Sequence, residues 1–140
     1  MYFHRVNQKS RNPQVKLDLS NSERSNLRKH KIKKSELIEF SSIQLSEILG
    51  VDLDRAVQLH ALVDFQRIPT IGIRFAEDLV FMGFYSLEEL KGQSGARQLE
   101  SFERKKGYRI DLCVEDQFRL AVHFAEHQDC TKTWWDFTEE

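Results

Sequence analysis

A chain of 140 residues with 40% hydrophobic content carries enough apolar material for one modest core. No apolar run approaches the roughly 18 residues of a membrane helix, and Met1-Tyr2-Phe3-His4-Arg5 leads into polar sequence rather than the apolar stretch of a secretory signal, so the expected location is cytoplasmic. The net charge of −1 hides an asymmetry: residues 1–34 hold ten basic and two acidic residues, for +8, and the remainder sums to −9.

Sparse Pro and Gly with abundant Leu, Glu, Lys and Arg predict an all-α protein. Residues 1–15 are polar and basic, contain Pro13 and show no period, which reads as a disordered basic arm. The arm has two readings: it seeks phosphate, or it folds back on its own acidic body. Residues 16–140 read as a helical domain. Ser20-Asn21-Ser22-Glu23 has capping-box spacing and starts a helix running to about Lys29, its basic face carrying Arg24, Arg28 and Lys31. Ser35 to Phe40 reads as a short helical turn. Ser41 or Ser42 caps a helix through Leu49, with Ile43, Leu45, Ile48 and Leu49 inward.

Gly50-Val51-Asp52 breaks that helix, and Asp52 caps the next, whose Leu53, Ala56, Val57, His60, Ala61 and Asp64 follow helical spacing up to Gln66. A helix from Arg74 to Met82 stops at Gly83. Ser86 caps a short helix ending near Lys91-Gly92, Ser94 or Gly95 begins one through Arg104, and Gly107-Tyr108 is a turn. Asp111 caps the longest helix, Leu112 to His127.

Between two of these helices lies Ile68-Pro69-Thr70-Ile71-Gly72-Ile73-Arg74, which reads as a hairpin. Pro69 sets its own φ and discourages Arg67-Ile68 from continuing a helix. Gly72 is the residue expected at φ > 0. Such a turn presents backbone N–H groups at the start of the next helix, where the dipole favours an anion. The expected phosphate site comprises Thr70, Ile71, Gly72, Ile73, Arg74 and Phe75, supported by Arg67 and the basic cluster Arg28, Lys29, Lys31, Lys33 and Lys34. Carbonyls of such a loop can also hold a monovalent cation bridging to the phosphate. Residues 48–56 echo residues 68–76 at an offset of 20, consistent either with two packed hairpins, one degenerate, or with chance similarity between helix starts.

From about Lys29 onward the chain resembles the pathogenicity locus family of small bacterial helix-hairpin-helix proteins. The resemblance rests on Ile68-Pro69-Thr70-Ile71-Gly72 with Ala76-Glu77-Asp78-Leu79, on Ser86 to Gly92, on Asp111-Leu112-Cys113-Val114 with Phe118 to Ala125, and on Trp134-Trp135-Asp136-Phe137. It implies a mostly helical fold and a DNA-related role. One departure stands out. DNA-binding hairpins usually carry Gly where this chain has Thr70, whose side chain crowds a close phosphate or donates its hydroxyl to it. Glu77 and Asp78 bring negative charge near the same place, opposed by Arg74.

Other constellations have structural explanations. His123-Phe124-Ala125-Glu126-His127 spells the H-x-x-E-H of inverted zinc proteases, but no downstream helix remains to supply a third ligand, so both histidines read as helix-surface groups. Cys113 and His123 are ten residues apart, roughly 15 Å along a helix, too far for activation; Cys113 shares a stripe with Gln117, Leu120 and Phe124 and reads as core. Cys113 and Cys130 lack metal or redox spacing and read as reduced thiols. Arg119 is expected to pair with Glu115 or Asp116. Trp134 and Trp135 either stack on a base or a partner's aromatic ring, or dock on the body with one ring buried.

These readings describe a non-enzymatic protein with no metal or organic cofactor. Its expected partner is double-stranded DNA or a DNA-bound assembly, contacted through hairpin amides with little sequence preference. The alternative is a protein-interaction module in which the hairpin is structural and the acidic body or the tryptophans make the contact.

Overall fold

The computed structural model describes residues 12–138. Among them the chain is helical without strands: α1 (Asn21–Lys29), a 3-10 turn (Lys34–Glu39), α2 (Ser42–Leu49), α3 (Leu53–Phe65), α4 (Ile73–Phe81), a second 3-10 turn (Glu88–Leu90), α5 (Gly95–Lys106), α6 (Cys113–His127) and a third 3-10 turn (Trp134–Phe137). None of these helices is long and apolar enough to cross a membrane.

The helix starts follow local hydrogen-bond chemistry. Ser20 accepts from the Glu23 N–H at 3.0 Å while the Glu23 carboxylate accepts from the Ser20 N–H at 2.8 Å. Ser41 and Gln44 repeat this box at α2. Asp52 caps α3 and Ser94 caps α5, each accepting from a backbone N–H three residues on. Such side chains satisfy donors that have no partner inside the helix.

Two apolar clusters meet along α3. The first gathers Val15, Leu17, Leu19, Leu27, Leu37, Ile38 and Phe40 with α2 and one face of α3. The second joins the end of α3 to α4, α5 and α6 through Phe65, Phe75, Phe102, Phe118 and Phe124. The rings of Phe75, Phe102 and Phe118 pack edge-to-face at 5.0 and 6.0 Å between centroids. Leu62 touches both clusters. A substituent at Gly95 would fall 2.6 Å from Arg119 Cγ and 3.3 Å from backbone atoms of Glu115 and Arg119, so α5 approaches α6 closely at its first residue.

Several expectations change. Residues 1–11 of the expected arm lie outside the described residues. Of residues 12–15, Val15 is buried in the first core and Asn12 is half-buried, while Pro13 and Gln14 are exposed. From there to Leu19 the odd-numbered residues are buried and the even-numbered ones exposed, the period of an extended strap. Ile43 stands 65% exposed instead of inward. It sits at the second residue of α2, so helical spacing alone misplaced it. Cys113, the first residue of α6, is exposed rather than core.

Two buried charges tie elements together. Glu23, 4% exposed, receives the Arg55 guanidinium at 2.9 and 3.0 Å, and Arg55 also donates to the Asp18 carbonyl. The hydrogen bond from Arg55 holds the Glu23 carboxyl below its ordinary range, against the opposing pull of burial. Asp64, 2% exposed, accepts from Arg67 at 2.9 Å and from the Leu87 N–H at 3.4 Å.

Because the Glu23 pKa is depressed in the folded state, its contribution to stability is complete above the usual 4.5 and disappears as pH falls through the folded value. Urea titrations at stepped pH should show stability dropping below about pH 4.5 in the native protein and less so in Glu23→Gln. Arg55→Ala should cost about 1.5–3 kcal/mol by stranding that carboxylate. Gly95→Ala, with no room for its methyl group, should lose about 1–3 kcal/mol in the same titration.

Candidate functional site

The end of α3 leads into a turn whose backbone–backbone bonds are short-range. Arg67 N–H donates to Asp64 O, Ile68 N–H to Phe65 O, and Ile71 N–H to Ile68 O at 3.2 Å. The last bond closes Ile68-Pro69-Thr70-Ile71 as a β-turn. Pro69 occupies its second position and Thr70, at φ 64, its third, as in a type II turn. A left-handed Thr costs roughly 1–2 kcal/mol relative to right-handed backbone. Its hydroxyl has two engagements that Gly lacks: it donates to the Pro69 carbonyl at 2.6 Å and accepts from the Trp134 N–H at 3.4 Å. Ile68, Ile71 and Phe75 are buried in the second core, while Thr70, Gly72 and Arg74 face outward.

Gly72, at φ −102 and ψ −167, is the N-cap of α4 and has no side chain to cap with. The first amide of this turn with an acceptor inside the helix is that of Ala76, donating to Gly72 O at 3.2 Å. Among the described residues, the N–H groups of Gly72, Ile73, Arg74 and Phe75 meet no acceptor.

The loop before α3 supplies a comparison within the same chain. Gly50 is left-handed at φ 67 as Thr70 is at φ 64, Asp52 and Gly72 are both extended N-caps, and α3 and α4 begin at Leu53 and Ile73. Ala56 donates to Asp52 O at 3.1 Å as Ala76 does to Gly72 O. The offset of 20 read in the sequence thus holds for the left-handed residue, the cap and the helix start, whereas the turns before them differ: Val51 N–H reaches Ser46 O and Ile71 N–H reaches Ile68 O. The difference lies at the cap. In the first loop a carboxylate oxygen of Asp52 sits 2.9 Å from the Arg55 N–H, and in the second the matching Phe75 N–H has nothing opposite it.

Two clefts open at the hairpin. One, of about 380 Å³, is lined by Asn12, Gln14, Lys16, Gln66, Gln117 and residues 72–75. The other, of about 450 Å³, is lined by Asn12 and residues 66–72. Among the described residues no carboxylate lines either. Glu77 and Asp78 stand further along α4. Burial raises the Asp78 carboxyl, partly opposed by the charges of Lys106 and Arg74. The strap that walls these clefts is held by Gln66, 3% exposed: its side-chain amide accepts from Lys16 N–H at 3.0 Å and donates to Lys16 O at 2.8 Å, while Asn12 donates to Gln66 O.

Four expectations for the site are corrected. The Ile71 amide is engaged in the turn and leaves the set of available donors. The left-handed residue is Thr70, not Gly72, because the turn ends one residue before the cap. The Thr70 hydroxyl donates inward to Pro69 O. Arg67 points into the molecule, bridging Asp64 and donating to Gln128 at 3.2 Å, with its guanidinium 5.8 Å from the Phe124 ring centre. Lys16, Asn12, Gln14 and Gln117 were missed, and the alternating pattern of residues 15–19 was the available signal for the strap.

The basic cluster divides. Arg28, Lys33 and Lys34, joined by Arg24, line a cleft of about 930 Å³ floored by Val15, Leu19, Leu27 and Ile32. Lys29 and Lys31 are exposed and do not line it. Since Pro13 and Val15 line this cleft while Asn12, Gln14 and Lys16 line the hairpin side, the strap separates two neighbouring cationic recesses.

The remaining constellations resolve locally. His123 Nε2 lies 3.2 Å from an Asp129 oxygen, with its ring 4.7 Å from that of His127. Among the described residues no group of three or more side chains is arranged to hold a metal. The Asp111 carboxylate pushes the Cys113 thiol up, the reverse of an activated nucleophile. Arg119 pairs with Glu115 at 2.6 Å, as spacing predicts. Trp134 is half-buried against the second core and Trp135 is exposed.

No curated protein and no solved structure matches the chain. Residues 58–140, from the second half of α3 through the hairpin to the C-terminal tryptophans, match the family model described as Cdd1, Pathogenicity locus, and the chain belongs to that family.

Proposed function

We propose that α3, the turn at residues 68–72 and α4 act as a helix-hairpin-helix grip on DNA, binding duplex without catalysis and with slight sequence preference. The observation that carries this reading is the uncapped first turn of α4, set against the carboxylate-capped first turn of α3. A phosphate oxygen would take the place that Asp52 fills in the earlier loop. Helix N-termini favour that occupant through aligned N–H groups and the positive end of the dipole. The donors are the amides of Gly72, Ile73, Arg74 and Phe75.

Electrostatics supports the same face. Arg74 and Lys16 flank the amides, and among the described residues no carboxylate lines either hairpin cleft. Carboxylates ringing the mouth would have favoured a protein contact instead. Beyond the strap, Arg24, Arg28, Lys33 and Lys34 extend the positive surface and would neutralise further phosphates. Nothing at the mouth is arranged to read base edges, so affinity follows phosphate contacts and falls with salt, on the order of 10⁻⁴–10⁻⁶ M near physiological ionic strength.

Gly72→Asp tests this directly. An added Cβ meets nothing within 4 Å and φ is ordinary, so the substitution is sterically free. It would install in α4 the cap that α3 already has. The expected result is an unchanged or slightly raised melting temperature with at least tenfold weaker binding to a labelled 20-base-pair duplex. Arg74→Ala should leave the fold intact and reduce the slope of log affinity against log salt by about 1. Undiminished binding by Gly72→Asp would reject the proposal.

A further inference from the structure

We propose that Trp135 is a stacking platform for an unpaired nucleobase, so that the preferred ligand is duplex DNA with a single-stranded gap or flap beside the gripped phosphate. This inference rests on the hairpin reading above and adds a substrate class to it.

Trp135 is a large aromatic side chain left 55% exposed. Its position is held from three sides. Thr133 and Asp136 close the 3-10 turn, the Asp136 carboxylate accepting from the Thr133 N–H at 2.7 Å and hydroxyl at 3.0 Å. The neighbouring Trp134 ring packs on the second core and meets the Trp135 ring edge-to-face at 5.5 Å. The Trp134 N–H reaches the Thr70 hydroxyl at 3.4 Å, which fastens the turn to the hairpin itself. The Trp135 Cα therefore lies one residue step, about 3.8 Å, past a direct contact with the proposed grip. That contact is with Thr70, two residues before the first of the amides, and nucleotides rise by roughly 3.4 Å along each strand, so the proposal places against this ring a base a few steps from the phosphate held at α4.

Another exposed aromatic differs in a telling way. Phe81 is covered by the ammonium groups of Lys105 and Lys106 at 5.0 and 4.4 Å. Among the described residues the Trp135 ring meets the Trp134 ring edge-to-face and has no cation over it. Asp136, the adjacent carboxylate, is turned back onto Thr133, whose N–H holds its pKa low. A paired base has both faces stacked in the helix and offers none to a protein ring. An unpaired base has a free face, and stacking on Trp is tolerant of base identity.

The experiment compares labelled 20-base-pair duplex with the same duplex carrying a three-nucleotide gap, by fluorescence anisotropy at fixed salt, for four proteins. The native chain should bind gapped DNA about tenfold tighter than intact DNA. Trp135→Ala should remove that preference and leave intact-duplex affinity unchanged, with an unaltered melting temperature because the side chain is exposed. Trp135→Phe should retain most of the preference. Gly72→Asp should weaken both ligands together. Equal affinity of the native chain for the two DNAs, or equal loss on both in Trp135→Ala, overturns the stacking role alone. A gap preference lost in Trp135→Ala, with the affinity for both DNAs undiminished in Gly72→Asp, overturns the hairpin reading and leaves Trp135 as an independent single-strand contact. Failure of the native chain to bind either DNA overturns both.

Discussion

The buried pair of Asp64 and Arg67 is the constraint on which the hairpin depends. One carboxylate at the last turn of α3 receives the guanidinium and the Leu87 N–H, and the guanidinium goes on to Gln128 at the end of α6. Three separate stretches of chain are thereby referred to one point. Isolating such a charge in a core is expensive, by about 3–5 kcal/mol when one partner is removed, so the arrangement persists only as a whole. It turns Arg67 inward and sends the chain out through Ile68 and Pro69 in a fixed direction. Gln66, beside it, uses both ends of its amide to seat the strap of residues 12–19. The hairpin therefore leaves a rigid base formed by both cores.

On that base the chain writes the same helix start twice and caps it differently. A left-handed residue, an extended N-cap and a new helix recur twenty residues apart. With Asp at the cap the first turn is satisfied internally. With Gly at the cap the donors meet no acceptor among the described residues and line a cleft with Lys16 and Arg74. The functional reading follows from this one substitution of cap chemistry. The tail adds a second contact to the same place, because Thr70 holds Trp134 through its hydroxyl. That engagement also gives a physical reason for Thr at a position where backbone geometry favours Gly.

Much of this was legible in the residues. The caps at Ser20, Ser41, Asp52 and Ser94 are local chemistry, visible as short polar side chains three residues before a helical donor, and they placed the helices within a residue or two. The Arg119–Glu115 pair is likewise local. What local spacing could not show was tertiary. Arg67 looked like a phosphate ligand because its sequence neighbours are exposed-looking turn residues, whereas its real partners include Gln128, far along the chain. Ile43 and Cys113 had helical spacing toward the core, yet each sits in the first turn of its helix and is exposed. The strap escaped notice because its alternation is short and surrounded by basic residues. Gly72 drew the positive φ in expectation because Gly is the usual bearer of it, and the turn instead placed Thr70 there.

The account stands on the amides of Gly72, Ile73, Arg74 and Phe75 being the atoms that meet phosphate. Nitrogen–proton correlation spectra recorded during titration with duplex DNA report on each of them separately. The account predicts progressive shifts at these four amides, with Ile71 and the Asp52-capped amide of Arg55 nearly still. Shifts confined to α5 or to the acidic faces, with residues 72–75 unmoved at saturating DNA, would contradict it.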